Sequence, residues 1–156
     1  MNPNISYICN FIVLKRPGVD NFLKEISKCY EICVSTAAEA VFANKVVKFL
    51  DPKGDLISKV FSTDDLGRKL DSVVMIDNSV ECFSLQMGNG CYIKPYINDA
   101  NDIELMDLFS LLKKISKKDD VRQAIRELTE LPDLFDSYIK SYESIRFALS
   151  PFFFVN

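Results

Sequence analysis

Apolar positions along the chain fall into two alternating patterns, short β-like runs and longer stretches at helical spacing. Tyr7 to Leu14 (YICNFIVL) is rich in β-branched and aromatic residues and predicts one strand, closed by Arg16-Pro17-Gly18. From about Pro17 to Tyr30 the residues Val19, Phe22, Leu23, Ile26 and Tyr30 share one helical face. Ile32-Cys33-Val34 reads as a short buried strand ended by Ser35 and Thr36, and a second helix is expected from about Ala37 to Leu50 with Val41, Val47 and Leu50 inward. Asp51-Pro52-Lys53-Gly54 has turn chemistry. A strand follows near Leu56 to Phe61, then a polar piece around Asp64 to Leu70. Val73-Val74-Met75-Ile76 predicts a buried strand ending at Asp77, and Cys91 to Lys94 a further one.

The second half is helical by pattern. Ile103, Leu105, Met106, Leu108, Phe109, Leu112 and Ile115 form a wide apolar face on a helix over about Asp102 to Ile115. Asp119 and Asp120 open another that runs to Leu128, acidic side chains suiting a positive helix N-terminus. Pro132 to Phe147 reads as one more amphipathic helix, and the chain closes on Phe152-Phe153-Phe154-Val155, either packed on the domain or a docking segment. Buried strands alternating with helices predict an α/β domain with a parallel sheet.

Composition narrows the chemistry. The chain has 156 residues and a net charge of −3, so charge gives no support to a nucleic-acid partner or an anionic membrane. There is no histidine, which removes Ser-His-Asp and Cys-His nucleophiles and His-ligated metals. Cys9, Cys29, Cys33, Cys82 and Cys91 are odd in number, lack a CxxC, and read as buried free thiols in a reducing compartment. No apolar run approaches the ~20 residues that span a bilayer, and Met1 to Tyr7 does not read as a signal peptide. The expectation is a soluble intracellular protein.

In a parallel α/β sheet, ligands sit at the carboxyl ends of the strands. Two residues are placed there by the pattern. Thr36 ends the first core strand and opens a helix; it is either an N-cap or part of an anion site made with the following amides. Asp77 ends the Val73–Ile76 strand; it is either an Asx turn or an oxygen ligand of the kind Mg²⁺ prefers.

The order of short motifs adds a resemblance. Lys15-Arg16-Pro17-Gly18-Val19-Asp20, Tyr30-Glu31-Ile32, Ser35-Thr36-Ala37 and Leu50-Asp51-Pro52-Lys53-Gly54 are followed by Leu66-Gly67-Arg68, Ile76-Asp77-Asn78-Ser79, Asn89-Gly90, Ile93-Lys94, Asn101-Asp102 and Asp119-Asp120-Val121-Arg122. From about Phe11 to Leu128 this series resembles the RNA polymerase II C-terminal-domain phosphatases, the small NLI-interacting-factor-like members of the haloacid dehalogenase superfamily. The resemblance implies an α/β haloacid-dehalogenase-like Rossmannoid parallel sheet flanked by helices. It implies a Mg²⁺-dependent phosphoserine/phosphothreonine protein phosphatase, nuclear or cytoplasmic, acting on a phosphoprotein. By the same resemblance Thr36, with the amides of Ala37 and Ala38, would hold the phosphoryl group, and Asp77 with Asn78 would contribute to the metal site.

Two departures from the family pattern are catalytic. The attacking aspartate and the general acid sit in a DxDx[TV] motif on the first central strand, yet the first aspartate here is Asp20 and no two aspartates stand two apart. Between Phe61 and Leu66 a longer segment is missing, and the catalytic lysine position falls near Phe61, with Lys59 and Lys69 off register. Val80 replaces a usual proline. The expectation is therefore a phosphatase-like domain over 1–130, lacking its usual first central strand and the segment between 61 and 66, with 131–156 a helix and tail packed on it. It is inactive as written, a non-catalytic protein-binding module on the phosphatase scaffold, or an incomplete chain. A missing central strand predicts closure of Ile32–Ser35 on Val73–Ile76, insertion of Tyr7–Leu14, or self-association through the open sheet or the C-terminal tail.

Overall fold

The N-terminal apolar run folds back on itself. In the computed structural model, which describes residues 3–61, 68–83, 85–129, 136–137 and 140, strands β1 (Ile5–Ile8) and β2 (Phe11–Leu14) form an antiparallel hairpin. Tyr7 lies opposite Ile12 and Ile5 opposite Leu14. The single strand expected over Tyr7–Leu14 is thus two. The break is at Cys9 and Asn10, whose φ values of 48° and 67° are both left-handed, as a two-residue hairpin turn of the primed type requires. Asn tolerates that region. With no glycine in the turn, the run reads as continuous.

Unit 1 comprises residues 1–68 and 94–118. Helix α1 (Val19–Ile26) starts after Gly18 at φ 79°, a left-handed value that glycine adopts freely. It buries Leu23 and Ile26 and packs on α3 (Glu104–Ile115), which buries Leu105, Leu108, Leu112 and Ile115. The Tyr30 hydroxyl donates to the Leu112 carbonyl at 2.9 Å. The expected α3 face is narrower than its sequence, since Ile103 and Met106 are exposed.

Strand β3 (Ile32–Ser35) pairs in parallel with β4 (Ile57–Phe61), and α2 (Ala40–Leu50) forms the crossover between them. The crossover is closed by Asp51. Its carboxylate is buried and accepts from the amides of Gly54, Leu56 and Ile57 at 2.9 Å each and of Asp55 at 3.3 Å. Those four bonds, led by that from Ile57, hold its pKa below the ordinary carboxylate range. The inward face of α2 is corrected: Val41 is exposed, Val47 and Leu50 are half-buried, and Ala43 is the buried residue.

Unit 2 comprises residues 69–93 and 119–156. Strand β5 (Met75–Asp77) pairs in parallel with β6 (Gly90–Tyr92), and 3₁₀ turns lie at Leu70–Ser72, Val80–Phe83 and Met87–Asn89. The strand expected at Val73–Ile76 starts two residues later and ends one residue later, and Ile76 is exposed rather than buried. Helix α4 (Val121–Leu128) begins as its acidic start predicts, the Asp120 side chain capping the Arg122 amide at 2.9 Å. Arg122, by its side chain first, also holds the Asp120 pKa down at about 2. The core of this unit is Phe83, Cys91, Val121, Ala124, Ile125 and Asn89. Asn89 Nδ2 donates to the carbonyls of Leu70 at 2.5 Å and Val73 at 2.6 Å, tying the first 3₁₀ turn to the approach of β5.

The α/β class expected from the sequence holds, with parallel pairing in β3–β4 and β5–β6. Neither closure of β3 on β5 nor insertion of the N-terminal run occurs among the described residues. β3 has β4 as its strand partner, β5 has β6, and β1 and β2 have each other. The cysteines also differ from expectation. All five are free, but only Cys91 is buried, and Cys9, Cys29, Cys33 and Cys82 are exposed. Of these four, Cys9 lies in the hairpin turn, Cys29 in the turn after α1 and Cys82 in a 3₁₀ turn, and Cys33 sits on the uncovered side of β3. The expected helix over Pro132–Phe147 and the Phe152–Val155 tail lie outside the described residues, apart from Asp136, Ser137 and Lys140, which are helical.

Candidate functional site

Thr36 follows β3 directly, as the pattern predicts, but it does not open the helix. α2 begins at Ala40 after Glu39, so Thr36, Ala37 and Ala38 form a loop ahead of it. The Thr36 hydroxyl accepts from the Ala38 amide at 3.1 Å. The side chain thus closes its own turn and occupies one of the two amides expected to face a ligand. Thr36, Ala37 and Ala38 are gathered in one loop, while the helix N-terminus that would add its dipole lies further along the chain.

Asp77 ends β5 as expected. Its Oδ1 accepts from the Ser79 amide at 2.9 Å, an Asx turn, and Asn78 is exposed beside it. The Ser79 hydroxyl donates to Glu81, and Cys82 adjoins the same turn. Partial burial, then the Asp77 charge, pushes the Cys82 thiol pKa up, so it is not an activated nucleophile. The carboxyl end of β5 therefore carries an electronegative turn.

A resident Mg²⁺ asks for about six oxygens, usually with more than one protein carboxylate. Here one Asp77 oxygen is engaged by the Ser79 amide, and among the described residues no group of three Asp, Glu, Cys or His side chains gathers to hold a metal ion. The described residues at Asp77 and Asn78 do not fit a resident Mg²⁺.

The position of the expected lysine is also filled otherwise. Phe61 ends β4 opposite Ser35, while Lys59 stands opposite Cys33 in the ladder and Lys69 is exposed. Burial, then Glu31, pushes the Cys33 thiol pKa up, although Lys59 and Arg68 act the other way.

The strongest polar assembly was not identified as such by sequence reasoning. Arg16, from the Arg-Pro-Gly stretch, donates to both carboxylate oxygens of Asp102 at 2.8 and 2.7 Å and to the Lys94 carbonyl at 2.7 Å. Both side chains are nearly buried, at 12% and 10% exposure. Tyr96 lies under the guanidinium at 5.8 Å. The side-chain bond from Arg16 holds Asp102 below the ordinary carboxylate range, and Asp102 raises Arg16 in turn. Asp102 also caps the amide of Glu104 at 3.2 Å, so one ion pair joins the start of α1 to the start of α3. Nearby, Lys15 pairs with Asp20 at 2.6 Å and lies over the Phe49 ring at 4.7 Å. The motifs Lys15–Asp20 and Asn101-Asp102 are in this sense one latch, which positions the loops around it. The only sequence signal for it was that both motifs occur in the family series.

The family model and the sequence relatives agree on the family. The family model for NLI interacting factor-like phosphatase matches residues 2–122. CTD small phosphatase-like protein 2 of Dictyostelium discoideum is 33% identical over 133 residues, covering 77% of this chain and 24% of that protein. CTD small phosphatase-like protein 3 of Caenorhabditis elegans is 33% identical over 150 residues, 86% of this chain and 52% of its own length. The chain thus spans from about a quarter to about half of these relatives. A solved structure of Fcp1, an essential RNA polymerase II CTD phosphatase, superposes with a TM-score of 0.49 at 20% identity, covering 93% of this chain and 52% of that one. Because the family model takes in the hairpin, the Arg16–Asp102 latch, the Thr36 loop and the Asp77 turn within one continuous match, this chain belongs to the NLI interacting factor-like phosphatase family.

Proposed function

We propose that the chain is a phosphoserine/phosphothreonine protein phosphatase family domain of the C-terminal-domain type that does not turn over substrate in this form. The observation that carries the reading is the aspartate spacing. No Asp-x-Asp occurs anywhere in the 156 residues, so neither an attacking carboxylate nor its neighbouring acid is available. Loss of a covalent nucleophile lowers rates by roughly 10⁶-fold in the serine-protease case. The scaffold around the lost chemistry is kept, since the Thr36 loop, the Asp77 turn and the latch are all formed.

A second reading, a protein-binding module on this scaffold, is favoured by the Thr36 loop, which retains a hydroxyl and the Ala37 amide at the end of β3. Its partner is a phosphoprotein met in the nucleus or cytoplasm, with phosphate held weakly at Thr36 and the Ala37 amide, the Ala38 amide being taken by the Thr36 hydroxyl. Any Mg²⁺ dependence is weak or absent.

Two measurements test this. The purified chain, incubated with Mg²⁺ and either an aryl phosphate or a phosphoserine peptide, gives no hydrolysis above background. Turnover that disappears in Asp77→Asn would show a recruited nucleophile and overturn the inactive reading. Titration with inorganic phosphate shifts the backbone amides of residues 35–38 with weak affinity. If they stay fixed while the protein remains folded, the loop is a turn and the binding reading fails.

A further inference from the structure

The hairpin β1–β2 has two apolar faces, and only one of them is used. Alternation places Ser6, Ile8, Phe11 and Val13 on one side. Ile8 is buried there, and Phe11 meets Phe42 of α2 edge-to-face at 5.6 Å between ring centroids. The opposite side carries Ile5, Tyr7, Ile12 and Leu14, exposed by 42%, 78%, 60% and 36%. An antiparallel sheet with one wet face ordinarily puts polar residues on it. Here all four positions are apolar or aromatic and none is charged.

We propose that this face is an isologous interface on which a second copy of the chain seats the same hairpin. Three features select a second copy over an unlike partner. First, the chemistry is self-complementary: a wholly apolar face matches itself, and homodimer interfaces are the more apolar class. Second, the geometry permits it. Tyr7 and Ile12 are cross-strand partners, as are Ile5 and Leu14. A two-fold axis running along the strands between two such faces sets Tyr7 of one protomer against Ile12 of its partner, and Ile5 against Leu14. Third, the area is adequate for a weak dimer. At side-chain areas of ~150–250 Å² for the larger groups, the four exposures leave roughly 450 Å² of apolar surface. Two copies together bury about 900 Å², the size of weak, transient interfaces. The dimer is therefore in rapid micromolar exchange.

The test is sedimentation equilibrium of the full chain from 1 to 200 µM, a range that brackets micromolar association. The expected result is a monomer–dimer equilibrium. Ile12→Lys and Tyr7→Lys, each on an exposed position, raise Kd by at least about 100-fold with unchanged circular dichroism and melting. Ile97→Lys, at an apolar position 83% exposed in the loop before α3, leaves Kd as it was. A chain that stays monomeric at 200 µM overturns the proposal, as does a dimer that Ile97→Lys weakens as much as Ile12→Lys. A monomer that dimerises only in Phe153→Asp assigns the face to this chain's own C-terminal run instead.

Discussion

Replacing Asn89 with alanine removes the side-chain donor of two part-buried carbonyls. Asn89 is 1% exposed, and its amide serves the Leu70 and Val73 carbonyls at 2.5 and 2.6 Å. A carbonyl left buried without a donor costs about 1–3 kcal/mol, so two cost about 2–6. Part of that is returned, because Asn89 Oδ1 is itself buried without a partner among the described residues and leaves with the side chain. The net loss is about 1–3 kcal/mol. Cys91, two residues on and fully buried, gives a local readout. Burial pushes its thiol pKa up to about 12, so it is alkylated only when unit 2 opens. In a background with Cys9, Cys29, Cys33 and Cys82 changed to serine, Asn89→Ala accelerates labelling of Cys91 by roughly 5- to 150-fold, at 1.4 kcal/mol per factor of ten. Asn89→Asp behaves worse as pH rises. Its acid form can donate to one carbonyl, whereas its carboxylate repels both. Its folded pKa is therefore raised, and stability present below the unfolded pKa near 4 is lost above it. A labelling rate within about threefold of the parent for Asn89→Ala would refute the reasoning, because the two carbonyls would then have other donors.

Acid sensitivity follows from depressed carboxylates. Asp51, Asp102 and Asp120 all titrate below their ordinary values, Asp120 at about 2. Each therefore contributes stability that is present above the unfolded pKa near 4 and disappears as pH falls through the folded one. The urea midpoint should decline below pH 4, and Asp51→Asn should flatten that decline while lowering the midpoint at pH 7. Arg16→Lys loses the two-pronged grip on Asp102 and should lower Tm clearly, while Arg68→Lys, in the exposed pair with Glu31, should change it by no more than about 1 °C. Gly18→Ala meets no atom within 4 Å, so its effect is backbone strain alone; it should destabilise by about 1–2 kcal/mol, and Gly18→Asn by less, in thermal melts.

Periodic patterns located α3 well and the centre of α1, which ends at Ile26 and not at Tyr30, because burial of Leu23, Ile26, Leu105, Leu108 and Leu112 imposes the 3.6-residue repeat directly on the sequence, while α4 was marked by its acidic start. Strand ends were harder. Cys9-Asn10 adopts a turn without glycine, so a lone asparagine was its mark in the apolar run. Thr36 looked like a helix cap because a hydroxyl that closes its own loop and one that caps a helix carry the same local signature. Asp51 lay in a visible turn, but its four amide partners depend on the chain returning over it. Arg16 and Asp102 are 86 positions apart, and their pairing needs the tertiary fold. The candidate site was legible mainly as an order of motifs, since Thr36 and Asp77 are individually ordinary.

The Arg16–Asp102 and Tyr30–Leu112 links have a consequence for synthesis on the ribosome. They join positions 86 and 82 residues apart, and α1 has its apolar face against α3. Until residue 115 has left the exit tunnel, Leu23 and Ile26 have no helix to pack on, and Arg16 has no carboxylate. Growing at about 5–20 residues per second, the nascent chain would hold these groups uncovered for several seconds after α1 emerges. The hairpin and the first crossover form from neighbouring residues and can fold during that interval, but the core cannot. Chain elongation rate, and holding chaperones that bind apolar segments, should therefore govern how much of this protein reaches its native state.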